Sequence, residues 1–178
     1  MKRKDAFNSD SLLFPYVSAF SVFMGGINSF VRPDNPMNYK KGDTFGLECK
    51  FGEDLSIDLS DIQHNVKNRE HLNSVIVTMT APMIISSYSE VEKYNDNSEI
   101  FELFRHMRNA CAHGNKFYFR GNQPSRPAKW KELIINHEIK GEENPLYGTT
   151  LLFNFISAGD IVYFLLDVQK HIDTINSD

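Results

Sequence analysis

One short stretch of the chain contains an arginine and a histidine that could act together on a phosphodiester. Residues 103–115 read LFRHMRNACAHGN, so Arg108 is followed directly by Asn109 and, five positions after the arginine, by His113. Histidine titrates near neutral pH and can take a proton from a ribose 2′-OH or return one to a leaving 5′ oxygen. Arginine provides a permanently charged fork for a phosphate. These residue types suit RNA cleavage without a metal ion.

The spacing of these two residues favours a site shared between two copies of the chain. In a regular helix, a separation of five residues turns two side chains roughly 140° apart and places them about 7.5 Å apart along the axis. Arg108 and His113 of one chain therefore do not converge well. Pairing the helix with its two-fold mate could bring two arginines and two histidines into one cleft. The two histidines could then divide the acid and base roles.

Positive charge and aromatic rings are concentrated around this motif. From Leu103 to Lys131 there are seven lysines and arginines and no acid, whereas 12 basic residues face 23 acids in the rest of the chain. Phosphate pairing and base stacking by such a strip suit single-stranded RNA, although residues 116–131 could also be an ordinary solvated loop face. The candidate RNA-binding residues are Arg105, Lys116, Arg120, Arg126 and Lys129.

The elements that must position these residues are predicted to be helices. Apolar residues recur at steps of three and four along four segments, and Gly114 is expected to end the third helix. The predicted helices span about 11–31, 67–94, 97–113 and 157–176. A loop-rich insertion with a small β-hairpin is expected at about 115–156, and a long connection at 32–66 with a short hairpin or helical turn. We expect a single, mainly all-α domain over residues 1–178.

The segment from Arg108 to His113 resembles the R-x(4–6)-H motif of HEPN domains, in which the residue after the arginine is usually Asn, Asp or His. Three later features are also similar to a bacterial and plasmid-borne subfamily of HEPN nucleases. They are the sequence AKWKEL at 128–133, the Pro-Leu pair at 145–146, and the Gly-Asp pair at 159–160.

This resemblance, which covers about residues 98–170, implies an HEPN-like bundle of four to five helices and a metal-independent endoribonuclease that needs no cofactor. It implies a homodimer with a composite active site, in which Arg108 binds the scissile phosphate, His113 is the general acid or base, and Asn109 orients them. Many HEPN domains are endoribonucleases of toxin–antitoxin and other defence systems, so the resemblance implies such a setting for this chain. The implied partners are therefore RNA, a second copy and an antitoxin protein.

The overall composition indicates a globular protein of a reducing compartment. The net charge is −4 and the pI is near 5.9, which argues against coating nucleic acid by overall charge. Cys49 and Cys111 form no disulfide framework, so we expect a cytoplasmic location. The uncharged stretches at 11–31 and 72–89 contain many polar residues, and we interpret them as core helices rather than as membrane spans or a signal peptide.

Several of these residues also have simpler explanations. His113 could only stabilise the end of the helix through its dipole, an effect of under about 1 kcal/mol. Arg108 could form a surface ion pair with Glu102 or a loop acid, and Asn109 could be an exposed polar residue. His106 could face the cleft, but an exposed position paired with Glu102 is favoured.

Alternatives also exist for other residues and for the whole chain. Cys111 is expected in the core, and Trp130 is interpreted as packing the insertion onto the bundle, with base stacking as the alternative. The chain could also be a non-catalytic HEPN module that binds RNA, a nucleotide or a partner such as a nucleotidyltransferase antitoxin. A third possibility is a helical dimerisation domain in which the motif is accidental.

Overall fold

The computed structural model describes residues 10–32 and 39–176, which fold mainly into helices. The described part contains α1 (Phe14–Val31), α2 (Leu59–Lys67), α3 (Arg69–Val91), α4 (Glu99–Ala112) and α5 (Ala158–Ile175). It also contains two antiparallel hairpins, β1 (Thr44–Leu47) with β2 (Leu55–Asp58) and β3 (Ala128–Trp130) with β4 (Leu133–Ile135). The predicted mainly helical class and the small hairpin in the insertion are confirmed.

The predicted helices correspond to α1, α3, α4 and α5, with ends that differ by up to three residues. Helix α2 and the β1–β2 hairpin lie in the connection predicted at 32–66, of which residues 33–38 lie outside the described residues. Helix α2 forms because Asp58 caps it, and its Oδ1 accepts hydrogen bonds from the Ser60 backbone N–H (2.8 Å) and Oγ (2.6 Å). Hydrogen bonds from Ser60 and Gly42 lower the pKa of Asp58 to about 2.

The chain divides into two compact units, and the first holds the residues of the candidate site. In the described part this unit comprises residues 10–21 and 77–176. Its core joins α4 to α5, because Phe104 and Phe164 meet edge to face with ring centroids 5.2 Å apart. The core side chains of α4 are Phe101, Leu103, Phe104, Met107, Ala110 and Cys111. Cys111 is therefore a core residue, as predicted, and burial raises the pKa of its thiol to about 12.

The second unit, Val22–Ile76, holds the β1–β2 hairpin and α2. The hairpin pairs Phe45 with Ile57 and Leu47 with Leu55, so these four apolar side chains share one face. Phe45, Leu47 and Leu55 are exposed on that face. The expectation of a single domain over residues 1–178 stays a prediction.

Helix α1 meets a length and composition criterion for a membrane span. Its 18 residues have a mean hydropathy of 1.2, and 11% of them are buried within the protein. Core helices of soluble proteins and signal sequences meet the same criterion. The expectation that α1 is a core helix stays a prediction.

Candidate active site

Helix α4 positions the motif, and its end is set by glycine. The His113 N–H donates to the Asn109 carbonyl oxygen at 3.0 Å and to that of Ala110 at 3.2 Å, while the Lys116 N–H donates to the Ala110 oxygen at 3.1 Å. Gly114 follows with φ of +70°, a backbone conformation that glycine adopts without strain. The helix ends at Ala112 with His113 at the C-cap, and the structure therefore confirms that Gly114, directly after the cap, stops α4.

Arg108 and Asn109 are neighbours in space as well as in sequence. Arg108 Nη1 donates a hydrogen bond to Asn109 Oδ1 at 3.1 Å, and both side chains are half-buried. Within the described residues Arg108 makes no ion pair. The Glu102 carboxylate pairs with Arg105 and Arg126 instead. The alternative in which Arg108 pairs with Glu102 is therefore wrong. The guanidinium keeps its other donors for an anion.

His113 is exposed at the end of α4 and lies beside a tyrosine. Its ring is 5.6 Å from that of Tyr118 between centroids, at an angle of 75°. No hydrogen bond joins His113 to Arg108 in the part of the chain that the structure describes. This agrees with the divergence expected from helix geometry, so within one chain His113 meets the insertion rather than the arginine.

An open cavity of about 240 Å³ adjoins His113, and we name it the tyrosine cavity. It combines an imidazole, a guanidinium and three aromatic rings. Its lining residues are His113, Tyr118, Phe119, Arg120 and Tyr147. Of the candidate RNA-binding residues, Arg120 lines this cavity together with the motif histidine.

The tyrosine cavity exists because residues 116–120 alternate like a strand. Phe117 and Phe119 are buried, whereas Tyr118 and Arg120 are exposed. The Phe117 N–H donates to the Thr149 oxygen at 3.0 Å, and the Gly148 N–H donates to the Phe117 oxygen at 2.8 Å. This pairing brings Tyr147 beside Tyr118, with ring centroids 5.5 Å apart at 87°.

Asn115 connects the end of α4 to the later part of the insertion. Its φ is +67°, and its side chain is buried. Asn115 Oδ1 accepts a hydrogen bond from the Leu152 N–H at 2.8 Å, and its backbone oxygen accepts one from the Leu151 N–H at 2.9 Å. These bonds hold the backbone next to His113 in place. Asn115 was not among the predicted site residues, although an asparagine directly after a helix-ending glycine is a signal for such a position.

Two of the predicted RNA-binding residues, Arg105 and Arg126, form ion pairs with a buried glutamate. Glu102 is 1% exposed, and its carboxylate pairs with Arg105 Nη2 at 2.6 Å and with Arg126 Nη1 at 3.3 Å. Burial raises the pKa of Glu102, but the hydrogen bonds and charges of the arginines outweigh it and hold that pKa below its usual value. Arg126 also donates to Asn97. We therefore leave Arg105 and Arg126 out of the proposed RNA surface.

His106 is buried, so the prediction of an exposed histidine is wrong. It is 2% exposed, packs edge-on against Phe119 at 5.4 Å, and lies 3.2 Å from Arg105 Nη2. An arginine can only donate, so the His106 Nε2 is the acceptor and the ring is neutral. Burial, together with the charge of Arg105, lowers the pKa of His106 to about 4.

We expect this buried histidine to make stability depend on pH. Below about pH 6.5 the unfolded chain protonates His106, whereas the folded chain does so only near a pKa of about 4. The free energy of unfolding should therefore fall by about 2 kcal/mol between pH 7.5 and pH 5 through this group. Urea unfolding at several pH values measures the slope, which His106→Gln should flatten.

The exposed His64 is the matched control for this experiment, because it lies on the surface of α2. His64→Gln should keep the pH slope of the wild type. Glu102 does not interfere, since its lowered pKa contributes stability that is lost only below about pH 4.5. Equal slopes for the wild type and His106→Gln would contradict a neutral buried ring.

The remaining predicted residues lie on the insertion. Lys116, Arg120 and Lys129 are exposed and make no ion pair with the acids of the described residues. Trp130 is buried, meets Phe164 edge to face at 5.4 Å, and donates from Nε1 to an Asp167 oxygen at 2.9 Å. The interpretation that Trp130 packs the insertion onto the helices is therefore confirmed.

Among residues 10–32 and 39–176, no group of three or more His, Cys, Asp or Glu side chains is arranged to hold a metal ion. The chain matches no protein-family model, no curated protein and no solved structure.

Proposed function

We propose that this protein is a metal-independent endoribonuclease of the HEPN type that acts as a homodimer. One observation carries the proposal: Arg108, held by Asn109, and an exposed His113 occupy the last turn and cap of one helix, beside a cavity with a further arginine and aromatic rings. The mainly helical fold is compatible with an HEPN-like bundle of four to five helices. The proposed HEPN assignment rests on the resemblance of the segment from Arg108 to His113 to the HEPN motif.

The reaction uses the 2′-OH of the RNA as its nucleophile. A histidine removes the 2′-OH proton, the 2′ oxygen forms a bond to the adjacent phosphorus, and the bond from phosphorus to the 5′ oxygen breaks. A proton from the second histidine of the dimer goes to the departing 5′ oxygen. The products are a 2′,3′-cyclic phosphate and a 5′-OH, and DNA resists because it has no 2′-OH.

Arg108 binds the non-bridging oxygens of the scissile phosphate in this scheme. Its charge stabilises the negative charge that builds up as the phosphorus becomes five-coordinate. Asn109 Oδ1 occupies one guanidinium N–H, so it fixes the direction of the fork toward the phosphate. The dimer is required because Arg108 and His113 do not meet within one chain.

The RNA strand is proposed to follow the exposed cations of the insertion. Lys116, Arg120 and Lys129 have no acidic partner among the described residues, so their charges can pair with phosphates. The acidic remainder of the chain limits indiscriminate binding. We propose a cytoplasmic toxin–antitoxin or phage-defence setting, with an antitoxin as a partner and without a membrane.

Purified protein tests the proposal directly. We expect it to cut a single-stranded RNA labelled at both ends, to leave 2′,3′-cyclic phosphate and 5′-OH termini, and to spare DNA of the same sequence. Addition of EDTA should leave the rate unchanged. Loss of cleavage in EDTA would contradict the metal-free mechanism. A strictly monomeric protein, by analytical ultracentrifugation, with full activity would contradict the shared site.

The alternative is a non-catalytic module that binds RNA, a nucleotide or a partner protein. The tyrosine cavity is compatible with this alternative as well as with the nuclease, because its aromatic rings and Arg120 suit binding whether or not chemistry follows. Induction in a bacterial host separates the two. Growth arrest with RNA decay in the wild type, and normal growth with His113→Ala, support the nuclease; binding without RNA decay supports the module.

A further inference from the structure

We propose that the tyrosine cavity binds one unpaired RNA base next to the phosphodiester that is cut. This assignment deepens the proposed function and rests on it. His113 lines the cavity, so a base held there places its ribose and phosphate near the imidazole that acts on the 2′-OH. The cavity would thus fix which phosphodiester of a single strand reaches the motif.

The size of the cavity suits a single base. Its volume is about 240 Å³, below the range of roughly 300–1,000 Å³ that is typical of pockets for drug-sized ligands. The cavity is open to solvent, which lets the attached ribose and phosphates remain outside. A base pair is too large, so the occupant comes from a single-stranded loop or end.

The aromatic rings provide stacking surfaces at a corner. Tyr118 and Tyr147 stand at 87° to each other, so a flat base that lies parallel to one ring meets the edge of the other. Tyr118 is 40% exposed, which leaves ring surface available to a ligand. Phe119 also lines the cavity, is buried, and stacks on Phe117 at 6.0 Å, so this part of the lining is anchored in the core.

Glu142 holds Tyr147 in position. The Tyr147 hydroxyl donates to Glu142 Oε1 at 3.2 Å, which restrains the orientation of the ring. Partial burial and the Glu142 charge raise the pKa of Tyr147, so the hydroxyl stays protonated and keeps donating. Glu142 is therefore a positioning residue for the aromatic wall.

Arg120 supplies the charge that a nucleotide needs. It is exposed at the cavity rim and makes no ion pair within the described residues. A guanidinium in this place can bind a flanking phosphate while the base stacks on the tyrosines. The combination of ring surface and cation distinguishes a nucleotide site from a purely apolar pocket.

Binding of an uncleavable RNA tests the assignment. We use a fluorescent octamer in which every ribose is 2′-O-methylated, so the nucleophile is blocked and binding is measured apart from cleavage. Tyr118→Ala and Tyr147→Ala should each weaken binding, and the loss of the ring on which the base stacks should cost about 5- to 150-fold. Tyr147→Phe keeps the ring and should stay close to the wild type. Arg120→Ala should reduce the salt dependence by about one phosphate contact.

Tyr163→Ala is the matched control, because Tyr163 is 44% exposed on α5 and does not line the cavity. It should bind like the wild type. Circular dichroism checks each fold, and Tyr118→Leu replaces Tyr118→Ala if the smaller side chain destabilises the protein. Equal affinities for the cavity and control variants overturn the base site, even if the wild type cuts RNA. Tyrosine-dependent binding by a wild type that never cuts unmodified RNA overturns the proposed nuclease and leaves the base site standing.

Discussion

Replacement of His113 by alanine should lower the rate of RNA cleavage by about 10²–10⁴-fold, because a positioned acid–base group contributes this much to proton transfer. In a symmetric dimer the substitution removes both histidines, and therefore both the base and the acid. The exposed position of His113 at the helix end means that the fold should be retained. Cleavage rates with single-stranded RNA under single-turnover conditions measure the effect.

The exposed His64 offers a matched control. It lies in the last turn of α2, so it shares with His113 an exposed position near the end of a helix. His64→Ala should cleave at the rate of the wild type, and both variants should be purified side by side so that a contaminating nuclease appears equally in each. A His113→Ala protein that cuts as fast as the wild type would reject the acid–base role.

Replacement of Arg108 by alanine should cost about 10²–10³-fold in rate, because it removes the charge that stabilises the transition state. Arg108 has no ion-pair partner among the described residues, and its one hydrogen bond goes to the neighbouring Asn109. The substitution therefore leaves no acid without a partner, and the melting temperature should change little. A lower cleavage rate at an unchanged melting temperature would show that Arg108 acts in catalysis rather than in stabilising the fold.

Two further arginine variants sharpen this experiment. Arg108→Lys keeps the charge but loses the planar fork, so its rate should lie between those of the wild type and Arg108→Ala. Arg69→Ala removes an exposed arginine at the start of α3 and should leave the rate unchanged. Equal loss in Arg69→Ala and Arg108→Ala would mean that overall charge, rather than a specific phosphate contact, is being measured.

The buried polar residues of α4 show where sequence reasoning fails. Helical periodicity marks Phe104, Met107 and Cys111 as one core face of α4, and the structure agrees. The same pattern assigns Glu102 and His106 to solvent, but both are buried because the insertion covers a second side of the helix. Helical periodicity shows which side chains share a face of a helix, but it does not show how many faces of that helix are covered by other parts of the protein.

Local signals set the ends of the helices reliably. Ser157 and Asp160 form a reciprocal cap at the start of α5: the Asp160 N–H donates to Ser157 Oγ at 3.2 Å, and Ser157 Oγ donates to an Asp160 oxygen at 2.6 Å. Gly114 ends α4 for an equally local reason, since its φ of +70° suits glycine. Both were predictable because all the interacting atoms lie within a few residues of one another.

The sequence by itself determined the mainly helical class, four of the helices, and the identity and order of Arg108, Asn109 and His113. Only the tertiary structure decided which cations are free. It pairs Arg126 with Glu102, 24 positions away in the chain, and it assembles the tyrosine cavity from the end of α4 and from two separate parts of the insertion. The physical reason is range: helix periodicity and caps depend on neighbours within a few positions, whereas ion pairs and cavities depend on contacts between segments that are distant in the chain.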